Sequence, residues 1–274
     1  MLKFLKKATT YSHCDWGPPP LSSKDLGHDR LDVGNVQNVI HLVCLSARHH
    51  AEKGQGLRAL DELFAGLSFA HRVGKEGLLI ARVLESAGGI KLIQTLGRIL
   101  PLLNVSTLEE LLRRLEVLPP LEPASTTFRY ESRFILNEIR ETLMTLGPVI
   151  EGAMWERIGL GEEDVATVLR LTGGERDRVL AHYQSAAPAL AELAHRLDLP
   201  HESCRASLDE FAKAERLVRP VVADLVEKAW GIRHMVDRLT AFRFALRAGS
   251  LLVRDGEPAF LKVADPFGTG PFLL

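Results

Sequence analysis

The chain has 274 residues, 46% of them apolar and 25% charged, a globular composition long enough for one large or two ordinary domains. Its 34 basic and 35 acidic residues leave a formal net charge of −1, without the basic excess that marks a nucleic-acid binder. Cys14, Cys44 and Cys204 are too few and too scattered for a disulfide framework or a zinc knuckle, and no run reaches the roughly 18 apolar residues that span a bilayer.

The first residues, Met1-Leu2-Lys3-Phe4-Leu5-Lys6-Lys7, are basic and amphipathic but lack the apolar core of a signal peptide. They read as a short surface helix, with a membrane-surface foot as the alternative. Residues 1–34 form an N-terminal arm, irregular around Pro18-Pro19-Pro20, Gly27 and Gly34.

Strand patterns are nearly absent, and apolar residues recur at helical spacing. A helix is predicted from Asn35 to about Lys53, with Val36, Val39, Ile40, Val43 and Ala47 as its stripe and Gly54 as its stop. A second runs from Leu57 to Val73, with Leu60, Leu63, Phe64, Leu67 and Ala70 facing inward. Ala47, Gly54, Ala59 and Gly66 sit where a tetratricopeptide-like hairpin wants small residues, so that its two helices approach closely. No period of about 34 residues continues it, so it reads first as a generic α-hairpin, with a degenerate repeat as the alternative. Residues 76–100 are apolar, with Gly88-Gly89 as the expected break. Ser106 and Glu109 suit a capping box for a helix carrying Leu108, Leu111, Leu112, Leu115 and Leu118.

Residues 119–126, opened by Pro119-Pro120, are the clearest linker. Helices follow over 127–146 and 162–171, the latter ended by Gly173-Gly174. A longer helix over 175–197 should kink at Pro188. Ser207 and Glu210 suggest another capping box, and the last helix reaches about Ala248, broken or kinked at Pro220. In the tail, 254–274, Phe260, Leu261, Val263, Phe267 and Phe272 are too apolar for free solvation, so a short hairpin or extended strap docked on the body is expected. The predicted divisions are 1–34, 35–120, 121–253 and 254–274, together one compact all-α unit of layered antiparallel helical hairpins.

Chemical motifs are weak. Gly54-Gln55-Gly56-Leu57-Arg58-Ala59 matches a dinucleotide fingerprint, but a helix precedes it where the chemistry needs a strand, so it reads as a tight turn. Glu192 and His195 have the spacing of a di-iron ligand pair, which requires a second such pair that is missing. His41, Cys44, His49 and His50 share one helix, and ligands from elsewhere, such as His13 or Cys14, would have to complete a site. Glu138 and Glu141 read as solvated ion-pair partners among arginines. The sequence therefore assigns no catalytic, cofactor-binding or metal-ligating residue, and no tightly bound structural metal is expected.

The pieces Cys14-Asp15-Trp16-Gly17, the Ala47–Val73 hairpin, Leu115 to Pro120, the helix Leu239 to Leu246 and the ending Asp265-Pro266-Phe267-Gly268-Thr269-Gly270-Pro271-Phe272 resemble a large class of uncharacterised bacterial helical proteins. The resemblance implies helical architecture. Members often carry an N-terminal membrane anchor, project into the envelope and continue beyond the Pro-Phe ending. It implies no activity and carries over no catalytic residue.

The function expected from the sequence is a non-catalytic helical scaffold that binds another protein. The alternative is a small-molecule-binding bundle or an unrecognised enzyme. An open groove with exposed apolar residues would favour the first, an enclosed cavity with converging polar groups the second. No nucleic-acid partner is expected. The default location is the cytoplasm, or facing the envelope if an anchor precedes this chain.

Overall fold

The structure is a computed structural model, and it describes residues 33–75, 77–151, 154–157, 162–268 and 270. The N-terminal arm before residue 33, with Cys14 and the Cys14–Gly17 motif, lies outside them, as does Phe272. The architecture is all-α. Twelve α-helices and one 3-10 turn are present among the described residues, and an isolated bridge joins Val149 and Glu175.

The chain forms two compact units. The described part of the first comprises residues 33–122 and 235–270, and that of the second residues 123–234. The expected region 121–253 is thus divided. Its last part groups with the N-terminal helices, because Leu239 and Leu246 join the core that those helices build.

The first unit starts with α1 (Val33–Glu52), α2 (Gly56–Gly74) and α3 (Leu79–Ile99). The Leu100–Leu102 turn and α4 (Val105–Glu116) follow. Gly54, at φ +71°, ends α1 as its spacing predicts, and its N–H bonds Ala51 O at 2.9 Å. Val43, Ala47, Ala59, Leu60 and Leu63 are all fully buried, so Ala47 and Ala59 face the partner helices, whereas Gly54 is exposed in the turn. Gly66 marks the closest approach. A Cβ there would lie 2.8 Å from Leu92 Cδ2 and 3.1 Å from Val43 Cγ1. Each buried leucine contributes roughly 1.5–3 kcal/mol of transfer free energy, so this layer holds much of the unit's cohesion.

Several local expectations are corrected. Gly88-Gly89 does not break α3, which is continuous from Leu79 to Ile99. The two glycines instead make room for neighbours: a Cβ on Gly88 would overlap Ile40, and one on Gly89 would lie 3.0 Å from Leu239 Cδ1. Packing here outweighs the helix propensity penalty of about 1 kcal/mol per glycine. The N-cap of α4 is Asn104, two residues before Ser106. Its Oδ1 accepts from the N–H of Thr107 at 2.9 Å and from that residue's hydroxyl at 2.8 Å.

The second unit holds α5 (Ala124–Thr145), α6 (Met154–Arg157), α7 (Glu162–Thr172), α8 (Arg176–Gln184), α9 (Ala187–Arg196) and α10 (His201–Arg216). Its core gathers Ile139, Leu143, Trp155, Val168, Val179 and Tyr183. The stretch 175–197 does not kink at Pro188. It breaks into α8 and α9, with Pro188 in the first turn of α9, where its missing N–H costs nothing. Ser207 lies inside α10 and caps nothing; its Oγ accepts from Arg196 at 2.9 Å.

The last long helix, α11 (Pro220–Asp255), starts at the expected breaker and runs seven residues past Ala248. Residues up to His234 belong to the second unit and those from Met235 to the first. In the tail, Gly256 (φ +82°) turns the chain into a helical turn, α12 (Glu257–Phe260), in place of the expected extended strap. Phe260 and Val263 pack with Ala248 of α11. Phe260 and Val263 of the tail are therefore docked, while Leu261 is 50% exposed.

Candidate functional site, a groove between two helices

Between α1 and α3, inside the first unit, the described residues leave an open concave surface. It is a groove of about 550 Å³. One wall is His41, Cys44, Leu45 and Arg48 of α1, spaced three to four residues apart and so presented along one helix face. The other is Ala87, Ile90, Lys91, Gln94, Thr95 and Arg98 of α3, again on one helical stripe. The stripes arise because the opposite faces of both helices are committed to the core through Val43, Ala47, Leu92 and Leu96.

The lining is mixed in a specific way. Leu45 is 63% exposed, the more exposed of two leucines that α1 leaves in solvent, Leu42 being 44% exposed. Arg48, Lys91 and Arg98 supply three exposed cations, and no carboxylate lines the groove. Among the described residues Lys91 and Arg98 have no acidic partner, and Arg48 reaches Glu52 only at 3.9 Å, one turn along its own helix.

Cys44 lies on the floor, 6% exposed. Burial pushes its thiol above the ordinary range, opposed by a hydrogen bond with Thr95 and by the charges of Lys91 and Arg98. The result is a protonated thiol at neutral pH, which is a poor nucleophile.

The residues considered from sequence disperse. His41 and Cys44 do meet at this groove. His49 and His50 point elsewhere: the His50 Nδ1 is 2.7 Å from Gln55 Oε1, and its Nε2 is 3.5 Å from the buried Glu62. Glu192 pairs with Arg196 at 2.9 Å, and His195 is exposed beside it. Glu138 and Glu141 stand on α5, each already engaged. The Gly54–Ala59 segment is the turn from α1 into α2. Among the described residues no three His, Cys, Asp or Glu side chains converge in a metal-binding arrangement, and no helix is long and apolar enough to cross a membrane.

Sequence reasoning missed Arg48, Lys91, Gln94 and Arg98. Their stripe on α3 was readable at spacings of three, four and seven, but only the fold shows that it faces α1 and not solvent or core. Comparison with protein-family models, with curated proteins and with solved structures finds no match for this chain.

Proposed function

We propose that this chain is a non-catalytic helical interaction module whose α1–α3 groove receives a segment of another protein. The observation that carries this reading is Leu45, 63% exposed on the wall of a groove that also presents Arg48, Lys91 and Arg98. An apolar side chain held in water beside a concave helical surface is the usual footing for a helix or peptide anchor. The groove's chemistry agrees. Its one thiol is held protonated, and a protonated thiol is a poor nucleophile.

The test compares the intact chain with a Leu45→Asp variant as bait, after circular dichroism has matched their folds. The expected result is a protein retained by the parent and lost from the variant. That protein, purified, should bind the parent again in isolation. Equal retention by both baits would overturn the reading.

A small-molecule site is the second reading, supported by a volume within the roughly 300–1,000 Å³ typical of ligand pockets. A metabolite that raises the melting temperature of the parent, but not of a Thr95→Leu variant, would favour it.

A further inference from the structure

The charges of the groove narrow what can occupy it. Lys91 and Arg98 are seven residues apart on α3, two helical turns or about 10 Å along the axis. Arg48 stands on the facing wall. Leu45 stands near Arg48 on that wall, Ala87 and Ile90 come just before Lys91 on α3, and Gln94 is the neutral polar group midway between Lys91 and Arg98. A cleft lined by charge of one sign focuses its field and draws the opposite sign. Here the cations sit in a chain whose formal net charge is −1, so the local excess is a property of the groove and not of the whole protein.

The spacing excludes a compact anion as the full complement. A single phosphate or carboxylate group cannot reach Lys91 and Arg98 together across about 10 Å, and it would leave the apolar strip in water. A flat anionic membrane would meet the rim but not the floor. A helix carrying carboxylates seven residues apart, with an apolar side chain on the same face, repeats the same two-turn period and supplies both chemistries.

We infer that the occupant of the groove is an acidic amphipathic helix of a partner protein, which seats an apolar side chain between Leu45 and Ile90 and sets carboxylates two turns apart against Lys91 and Arg98. This rests on the docking reading above and adds the chemical class of the partner.

The experiment pans the intact chain against a displayed library of helical peptides, then measures selected peptides by fluorescence anisotropy. The protein variants are a Lys91→Glu/Arg98→Glu pair and Leu45→Asp, each checked for unchanged helicity and melting temperature. Inositol hexakisphosphate and phosphatidylglycerol vesicles serve as compact-anion and membrane probes.

The expected result is enrichment of peptides with Asp or Glu at i and i+7 and Leu or Ile on the same helical face. Their affinity should fall at least tenfold on the charge-reversed pair, fall on Leu45→Asp, and weaken with added salt. Enrichment of neutral or basic peptides lost only on Leu45→Asp would overturn the acidic class and leave the groove as a docking site. Binding of the hexakisphosphate or the vesicles, abolished by the charge-reversed pair and unaccompanied by any peptide, would overturn the inference in favour of that anion. A library with no binder would overturn both readings.

Discussion

The Nδ1 of His71, on α2, lies 2.9 Å from Oε1 of Glu85, on α3, and both side chains are at least nine-tenths buried. Arg82 bonds the other carboxylate oxygen from one turn earlier on α3. Three ionisable groups are thus satisfied together inside the first unit. Gly74 makes this possible, since a Cβ there would stand 2.9 Å from Glu85 Cβ. Glu85→Ala strands a buried guanidinium and imidazole, and breaking a buried ion pair from one side costs about 3–5 kcal/mol. Urea denaturation should show that loss. A change below about 1 kcal/mol would mean that water already reaches the cluster.

Gly66 sets the separation of α1, α2 and α3, with Leu92 and Val43 within 3.1 Å of where its Cβ would be. Gly66→Ala should therefore destabilise, in spite of alanine's better helix propensity, by an overpacking cost of about 1–3 kcal/mol. Ala59, wholly buried on the same helix, should respond likewise to leucine. Thermal melts of both variants test this. An unchanged or raised melting temperature would show that the helices separate freely.

The two candidate caps of α4 are separable by mutation. Asn104→Ala removes the acceptor of the Thr107 N–H and should cost about 1 kcal/mol. Ser106→Ala removes only an exposed hydroxyl that donates to Asn104 at 3.0 Å, and should change stability by less than about 0.5 kcal/mol. The reverse ranking in chemical denaturation would restore the capping box to Ser106.

His182, in the second unit, has its pKa lowered by burial first and by Arg219 second. Its Nε2 is buried without a hydrogen-bond partner among the described residues. The unfolded chain then takes up this proton at a higher pH than the folded chain does. The contribution is fully present above the ordinary value of 6.5 and is lost as pH falls from there toward the lower folded value. His182→Asn should flatten the fall in melting temperature between about pH 7.5 and 5.5. Parallel pH profiles for the variant and parent would count against it.

Cys44 offers a chemical readout of the groove. Its thiol, held above the ordinary range by burial, should alkylate with iodoacetamide more slowly in the folded chain than in urea at the same pH. Lys91 and Arg98 favour the thiolate, so reversing both to glutamate should slow the reaction further. Peptide mass spectrometry isolates the Cys44 rate. A faster reaction in the variant would mean that the cations act by shielding the thiol.

Much of the fold was legible because helices announce themselves locally. The stripe Val36, Ile40, Val43, Ala47 needs only a period of 3.6, and stops such as Gly54, Gly173-Gly174 and Pro220 act through backbone angles or a missing donor. What failed depended on a residue distant in sequence. Gly88-Gly89 reads as a break from propensity, and only the positions of Ile40 and Leu239 reveal two packing contacts. Asn104 and Ser106 are equally good caps on paper, and the turn after Leu102 decides between them. The groove was illegible for the same reason. Lys91 and Arg98 look like any solvated cations on a helix until α1 is set beside them with Leu45 uncovered. Sequence alone determined where the backbone coils, since that is settled within a few residues. The tertiary structure decided which side chains meet and which apolar ones stay in water, since that depends on the surfaces the helices bring together.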